Sequence, residues 1–258
     1  MKLKYTYFGG MKWAKLDPNN LGSLPNIKYQ LSRHSSPLLP LSFIRMSTPT
    51  IGSDKKSTIN PEFKAYITSL KNKGLKHVYV NLQDNRHMTV KKAKHYKDYA
   101  KSVGVVYEAH RAKTIENFAK TNSLQNTIQV ITLGKDNPFY NQRHKKNTSE
   151  NKLIFLKQLT KYLFDETNKG FYVPKHWRDK NSPERQTLQS RLHHTLQAMF
   201  PNQDTLSLSE KQNIIEISFL VIIDYLTKDI YSMNITCKDG IDRAGATHGL
   251  LYMMSLFS

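Results

Sequence analysis

Tyr231-Ser-Met-Asn-Ile-Thr-Cys-Lys-Asp-Gly-Ile-Asp-Arg-Ala-Gly245 is the stretch on which the reading of this chain turns. Tyr231 to Thr236 reads as a short strand, a glycine-containing loop follows, and a helix runs from about 243 to 256 with Leu250, Leu251, Met254 and Phe257 on one face. The same alternation recurs upstream. Ser42 to Met46 is apolar enough for a strand. Asn60-Pro61 opens a helix whose Phe63, Ile67 and Leu70 share a face, and Gly74 ends it. His77 to Leu82 is a buried strand. A basic helix at about 89–102, a strand Val105 to Tyr107 and a helix at about 111–121 come next. Thr127 to Leu133 is a strand closed by Gly134, and helices are predicted at about 151–168, 182–199 and 209–228. The last opens with Ser207 or Ser209 as cap, Glu210 lying three residues after Ser207, and its middle is apolar on nearly every side. Strands alternating with helices indicate an α/β fold with a mainly parallel central sheet flanked by helices. Ligands of such sheets bind at the carboxyl ends of the strands, which directs attention to the end of 231–236.

With 258 residues, 38% of them hydrophobic, the chain can bury a core, so wholesale disorder is excluded. Residues 1–40 hold Pro18, Pro25, Pro37 and Pro40 among Asn, Gly and Ser, with Pro49 close behind, and read as an extended N-terminal arm; residues 41–258 read as a single α/β domain. A single cysteine excludes a disulfide framework and leaves a structural zinc site almost without thiolates. The longest apolar run, Ile214 to Leu226, contains Glu216 and Asp224 and is shorter than a membrane span. Met1 to Phe8 lacks the pattern of a secretory signal, so the expectation is a soluble chain. It stops at Phe257-Ser258 directly after an apolar helix face, which reads as a domain cut from a longer protein. Lys and Arg number 39 against 20 Asp and Glu, and the net charge of +19 implies an anionic partner: nucleic acid, an acidic leaflet or a phosphorylated small molecule. Lysines are spread along the whole chain, so charge alone does not choose among them, and a solvated basic surface is the bland account.

The chemistry concentrates between Cys237 and Gly245. The only cysteine stands at a strand end, five residues before an arginine, in a loop that enters a helix. Backbone N–H groups of residues 238–243 can curl around a tetrahedral phosphate while the positive helix end faces the same point. Those dipoles favour an anionic sulfur, the form that attacks phosphorus. Arg243 can hold two phosphoryl oxygens in its planar fork. Gly240 permits a backbone angle the turn requires, and Gly245 lets the helix pack closely. A buried, inert thiol is the usual fate of a lone cysteine, and an arginine at a fixed offset arises by chance about once in 20. Gly240, Asp242 and Gly245 together make coincidence a poor account.

Cys237 to Arg243 resembles the signature loop of cysteine-dependent phosphatases, most closely the phosphoinositide branch. Asp239-Gly240 and Asp242-Arg243 resemble myotubularin-type lipid 3-phosphatases. Cys237-Lys238 resembles bacterial effector phosphoinositide phosphatases and the tumour-suppressor lipid phosphatase; Phe43 to Pro49 and Val78 to Gln83 also suggest the effector type. The specific resemblance covers about nine residues. It implies a protein-tyrosine-phosphatase-like fold, no cofactor and no metal. It further implies Cys237 as nucleophile and Arg243 with the loop amides as phosphoryl holders, so that Lys238, Asp239, Gly240 and Ile241 contact substrate. A carboxylic acid must protonate the leaving oxygen and then activate water. Asp242 corresponds to the acid proposed within the myotubularin loop. Asp179, in Trp177-Arg178-Asp179, imitates the Trp-Pro-Asp acid loop of tyrosine phosphatases without its proline.

Three positions depart from the family. Thr236 stands where tyrosine phosphatases carry His. Ala244 stands where many relatives have a hydroxyl that helps the thiolate leave, implying slow turnover. Ile241 stands where the most basic loops have a second lysine, so the expected preference is for the 3-phosphate.

Other residues rank lower. His248 reads as a packed histidine, and adjacent His193 and His194 point different ways on a helix and share no metal. Arg45, Arg86, Lys91 and Lys92 fit a pocket rim, and Arg143, Lys145 and Lys146 form a basic knot suited to anionic lipid heads. The leading expectation is a phosphoinositide phosphatase in peripheral contact with anionic membrane, in the cytosol and at its membrane surfaces, in a host cell if the effector resemblance holds. A second reading changes the substrate to phosphotyrosine or soluble inositol phosphates. A third is a nucleic-acid or lipid-binding module whose loop only grips phosphate; against nucleic acid there is no zinc-finger spacing and no aromatic RNA-binding signature.

Overall fold

The computed structural model describes residues 26–31, 41–46, 48–51, 57–85, 96–135, 137–142, 150–165, 170–201, 203–237 and 242–256. Its elements in chain order are β1 (Asn26–Leu31), β2 (Leu41–Arg45), β3 (Thr50–Ile51), β4 (Thr58–Ile59), α1 (Pro61–Asn72), β5 (His77–Asn81), α2 (Tyr96–Ala119) and β6 (Ile128–Leu133). There follow α3 (Pro138–Asn141), α4 (Lys152–Thr160) with a π turn at Lys161–Asp165, β7 (Phe171–Tyr172), α5 (Lys175–Arg178), α6 (Pro183–Met199), α7 (Leu208–Leu226), β8 (Ser232–Thr236) and α8 (Asp242–Leu256).

Local signals explain most of these boundaries. The Asn60 side chain accepts from the N–H groups of Glu62 and Phe63 at 2.8 and 3.3 Å, and Pro61 occupies the first turn, so α1 starts where the sequence says it must. Its Phe63, Ile67 and Leu70 are buried. Ser207 and Glu210 form a reciprocal capping box on α7, whose apolar residues are buried on several sides. Gly134 closes β6 where a Cβ would stand 2.6 Å from the Gly170 carbonyl oxygen, so only glycine allows that approach.

The central sheet has the order β1-β2-β8-β5-β6-β7. β2, β8, β5 and β6 are parallel, and β1 and β7 are antiparallel edges, so the sheet is mixed but mostly parallel, with helices on its faces. Alternation of side chains divides the core in two. Val78, Val80, Ile131, Leu133, Met233 and Ile235 face α4, α6, α7 and α8, while Tyr79, Ile128 and Val130 face α1 and α2. β8, last in sequence, lies between β2 and β5. In parallel sheets the carboxyl ends of such central strands are where ligands bind.

Two expectations are corrected. Val105 to Tyr107 is not a strand: α2 is one continuous helix from Tyr96 to Ala119. Three apolar residues are too few to hold a strand against a helix that tolerates Gly104 for about 1 kcal/mol. The N-terminal segment is also not wholly an arm. The proline-free Asn26–Leu31 pairs with β2 as a sheet edge, while residues 1–25 and 32–40 lie outside the described residues.

Candidate active site

β8 delivers Cys237 to the carboxyl edge of the sheet, where its side chain is buried on the α7–α8 face. Its backbone is fastened from the neighbouring segment. The Thr236 hydroxyl lies 2.8 Å from the Met46 carbonyl and 2.9 Å from that of Cys237, and Thr48 Oγ1 donates to the Cys237 carbonyl at 3.3 Å. The Gln83 amide donates in turn to Thr48 Oγ1. Tyr79, on β5, is fully buried on the opposite face of the sheet. Burial pushes its phenol far up from its ordinary value, so it is present as a neutral hydroxyl.

Arg243 reaches the same point from the first turn of α8. Leu82 N–H donates to the Thr236 carbonyl at 2.8 Å, and the Leu82 carbonyl accepts from Arg243 Nη1 at 3.2 Å. One residue of β5's continuation therefore ties the arginine to the strand position immediately before Cys237. Arg243 Nη2 donates to Glu108 Oε1 at 3.0 Å, both side chains being mostly buried. The other carboxylate oxygen, Oε2, accepts from Asp84 N–H at 3.4 Å. A carboxylate and a carbonyl thus anchor the planar guanidinium in one orientation. Arg111, three residues after Glu108 and also buried, exerts its charge on Tyr79.

The chain matches no family model, no curated protein and no solved structure.

Of the residues named from sequence, Cys237 and Arg243 meet at one edge of the sheet. Asp242 opens α8, one residue before the arginine. Lys238, Asp239, Gly240 and Ile241 lie outside the described residues, as do Arg86, Lys91, Lys92, Arg143, Lys145 and Lys146. Arg45 ends β2. His248 is buried with its ring edge-on to Phe43 at 5.9 Å, and His193 and His194 are exposed on α6.

Asp179 is not brought to Cys237. β7 runs antiparallel to β6, so after Tyr172 the chain returns toward the amino ends of the parallel strands. There Trp177 packs edge-on to Tyr225 in the last turn of α7, just before β8 begins. The Asp179 carboxylate accepts from Asn181 N–H at 3.0 Å, capping its own turn. Asp179 therefore stands in its own turn and not beside Cys237.

The sequence reading missed Glu108, Asp84, Thr48 and Gln83. Glu108 was hidden by the false strand at 105–107, since only in a helix do it and Arg111 share a face. Asp84 is fully buried at the carboxyl end of β5, and a buried carboxylate after a strand was the signal available to find it.

Proposed function

We propose that the protein is a cysteine-dependent phosphatase that removes a phosphate, the 3-phosphate by preference, from the inositol ring of a phosphoinositide. The observation that carries this reading is the anchored guanidinium of Arg243, tied through Leu82 to the residue before the lone cysteine. An arginine mostly buried against a carboxylate beside a thiol is expensive to maintain unless it serves an anion.

Cys237 sulfur attacks phosphorus, and the bond from phosphorus to the inositol oxygen breaks as a carboxylic acid protonates that oxygen. Arg243 and the loop amides hold the equatorial oxygens as charge builds. Water then attacks the phosphocysteine, the sulfur–phosphorus bond breaks, and the carboxylate takes the water proton. Asp242 is the donor the loop motif favours, and Asp84 is a further carboxylate at this end of the sheet besides Glu108, which anchors Arg243. The donor's Asn variant loses activity on lipid, whose alcohol leaves poorly, while keeping most activity on an aryl phosphate, whose phenolate leaves without a proton. Assaying Asp242→Asn and Asp84→Asn on both substrates assigns the role. The charge of +19 concentrates the protein on anionic leaflets, so catalysis takes place at a membrane surface.

The test is phosphate release from phosphatidylinositol 3-, 4- and 5-monophosphates and from soluble inositol phosphates, wild type beside Cys237→Ser. The expected result is release from the 3-phosphate lipid that disappears in the variant. Release that survives the substitution refutes the mechanism; equal release from all three lipids refutes the ring preference.

A further inference from the structure

At the far end of the sheet, where β7 separates from β6, the edge opens into a cavity of about 410 Å³. Thr132–Tyr172 and Leu133–Phe171 are the pairs that join the two strands. Pro174 cannot extend the ladder and turns the chain into α5, leaving the outer edge of Ile128 to Val130 without a strand partner among the described residues.

Lys120, Lys175, His176 and Arg178 converge on this gap from the end of α2 and from α5, and no carboxylate is among its described lining residues. The Lys120 ammonium stands over the Tyr172 ring at 5.0 Å, and its proton affinity is lowered first by burial and then by the charge of Lys113, with Arg178 adding to the effect. Arg178 Nε is buried and meets no acceptor among the described residues, while its carbonyl is held by Arg185. One acid, Glu116, offsets part of the charge on Lys120: its Oε1 accepts from Asn85 and Thr132, its Oε2 lies 3.9 Å from Lys113 Nζ, and burial raises its carboxyl above the usual range. Like charges gathered around an orphaned donor are stabilised by an anion. The space exceeds what one phosphate fills, and Ala119, Ile128, Val130 and Pro174 give it an apolar wall.

We propose that the cavity between β6 and α5 is a second ligand site, separate from Cys237, that binds a phosphate ester carried on a ring. The phosphate sits on Arg178, Lys120 and Lys175, and the ring lies against the apolar wall. A soluble phosphate ester and a lipid headgroup share this chemistry.

The full chain is titrated calorimetrically with adenosine 5′-monophosphate, inositol 1-phosphate and inorganic phosphate. Sedimentation with phosphatidylcholine vesicles, with and without phosphatidylinositol, supplies the lipid arm. A ring ester is expected to saturate one site with the same affinity in wild type and Cys237→Ser. Affinity should fall by at least about tenfold in Arg178→Gln and in Lys175→Gln, and stay unchanged in a Lys64→Gln/Lys73→Gln control. Lys175 is exposed, so its variant folds whatever Arg178→Gln does. Inorganic phosphate should bind at least about tenfold more weakly than the ester. Loss of vesicle binding alone in the two cavity variants retains the site and makes the ligand a lipid headgroup. Equal weakening in the lysine control, binding that vanishes with Cys237→Ser, inorganic phosphate as tight as the esters, or no binding in either arm overturns the proposal.

Discussion

At the carboxyl ends of β8 and β5, Cys237, Arg243, Glu108 and Asp84 bring a thiol and opposite charges together. At the amino ends of the same two strands, the buried polar groups are neutral and bonded to one another. His77 Nδ1 lies 2.8 Å from Ser232 Oγ, Nε2 lies 2.7 Å from Asn234 Oδ1, and the Tyr66 hydroxyl lies 2.6 Å from Ser232 Oγ. Asn234 Oδ1 can only accept, so Nε2 carries the proton. Nδ1 then accepts from Ser232, which accepts from Tyr66. Burial lowers the His77 pKa to about 4, keeping the ring uncharged. One end of the sheet thus keeps charge out, and the other holds a mostly buried charged pair. Where cations do gather near the amino end, they line the open cavity beside Tyr172.

Five changes test the contrast, in descending order of expected effect. Cys237→Ser should lower phosphate release by at least about 10⁴-fold, measured in single-substrate lipid assays, because the covalent step is lost. Arg243→Lys keeps the charge but loses the fork and should cost about 10²- to 10³-fold in kcat. Glu108→Gln, which loosens only the anchor, should cost about 10- to 100-fold, chiefly in kcat. If Glu108→Gln matches Arg243→Lys, the carboxylate does more than position.

At the neutral end the effect is on stability. His77 titrates at about 4 when folded and near its ordinary 6.5 when unfolded, so acid favours the unfolded chain. Its contribution is complete above about pH 6.5 and should decline by about 3 kcal/mol as pH falls to 4, read from denaturant midpoints; His77→Gln should flatten that profile. Asn60→Ala, which removes only the α1 cap, should cost about 1 kcal/mol, checked by thermal melting.

Much of this architecture was legible without coordinates. The α1 cap and face, β5, β6, the Ser207–Glu210 box and the β8–α8 junction all rest on residues within a few positions of one another. Where the local signal was weak, the reading slipped, as at Val105–Tyr107. Prolines on both sides of residues 26–31 likewise disguised an edge strand as an arm. The short motif at 177–179 imitated a catalytic loop yet lies at the wrong end of the sheet, because the direction of β7 is set by pairing and not by its two residues.

The sequence by itself determined that a thiol ends a buried strand and that an arginine stands in the first turn of the following helix, since strand and helix follow one another there. Only the tertiary structure decided what surrounds them. Glu108 meets Arg243 across 135 residues, Thr48 reaches the Cys237 carbonyl across 189, and Asp179 is carried away. Local periodicity fixes which face of an element is buried. Which charges meet depends on the order in which strands pair, and that order is settled by packing across the whole chain.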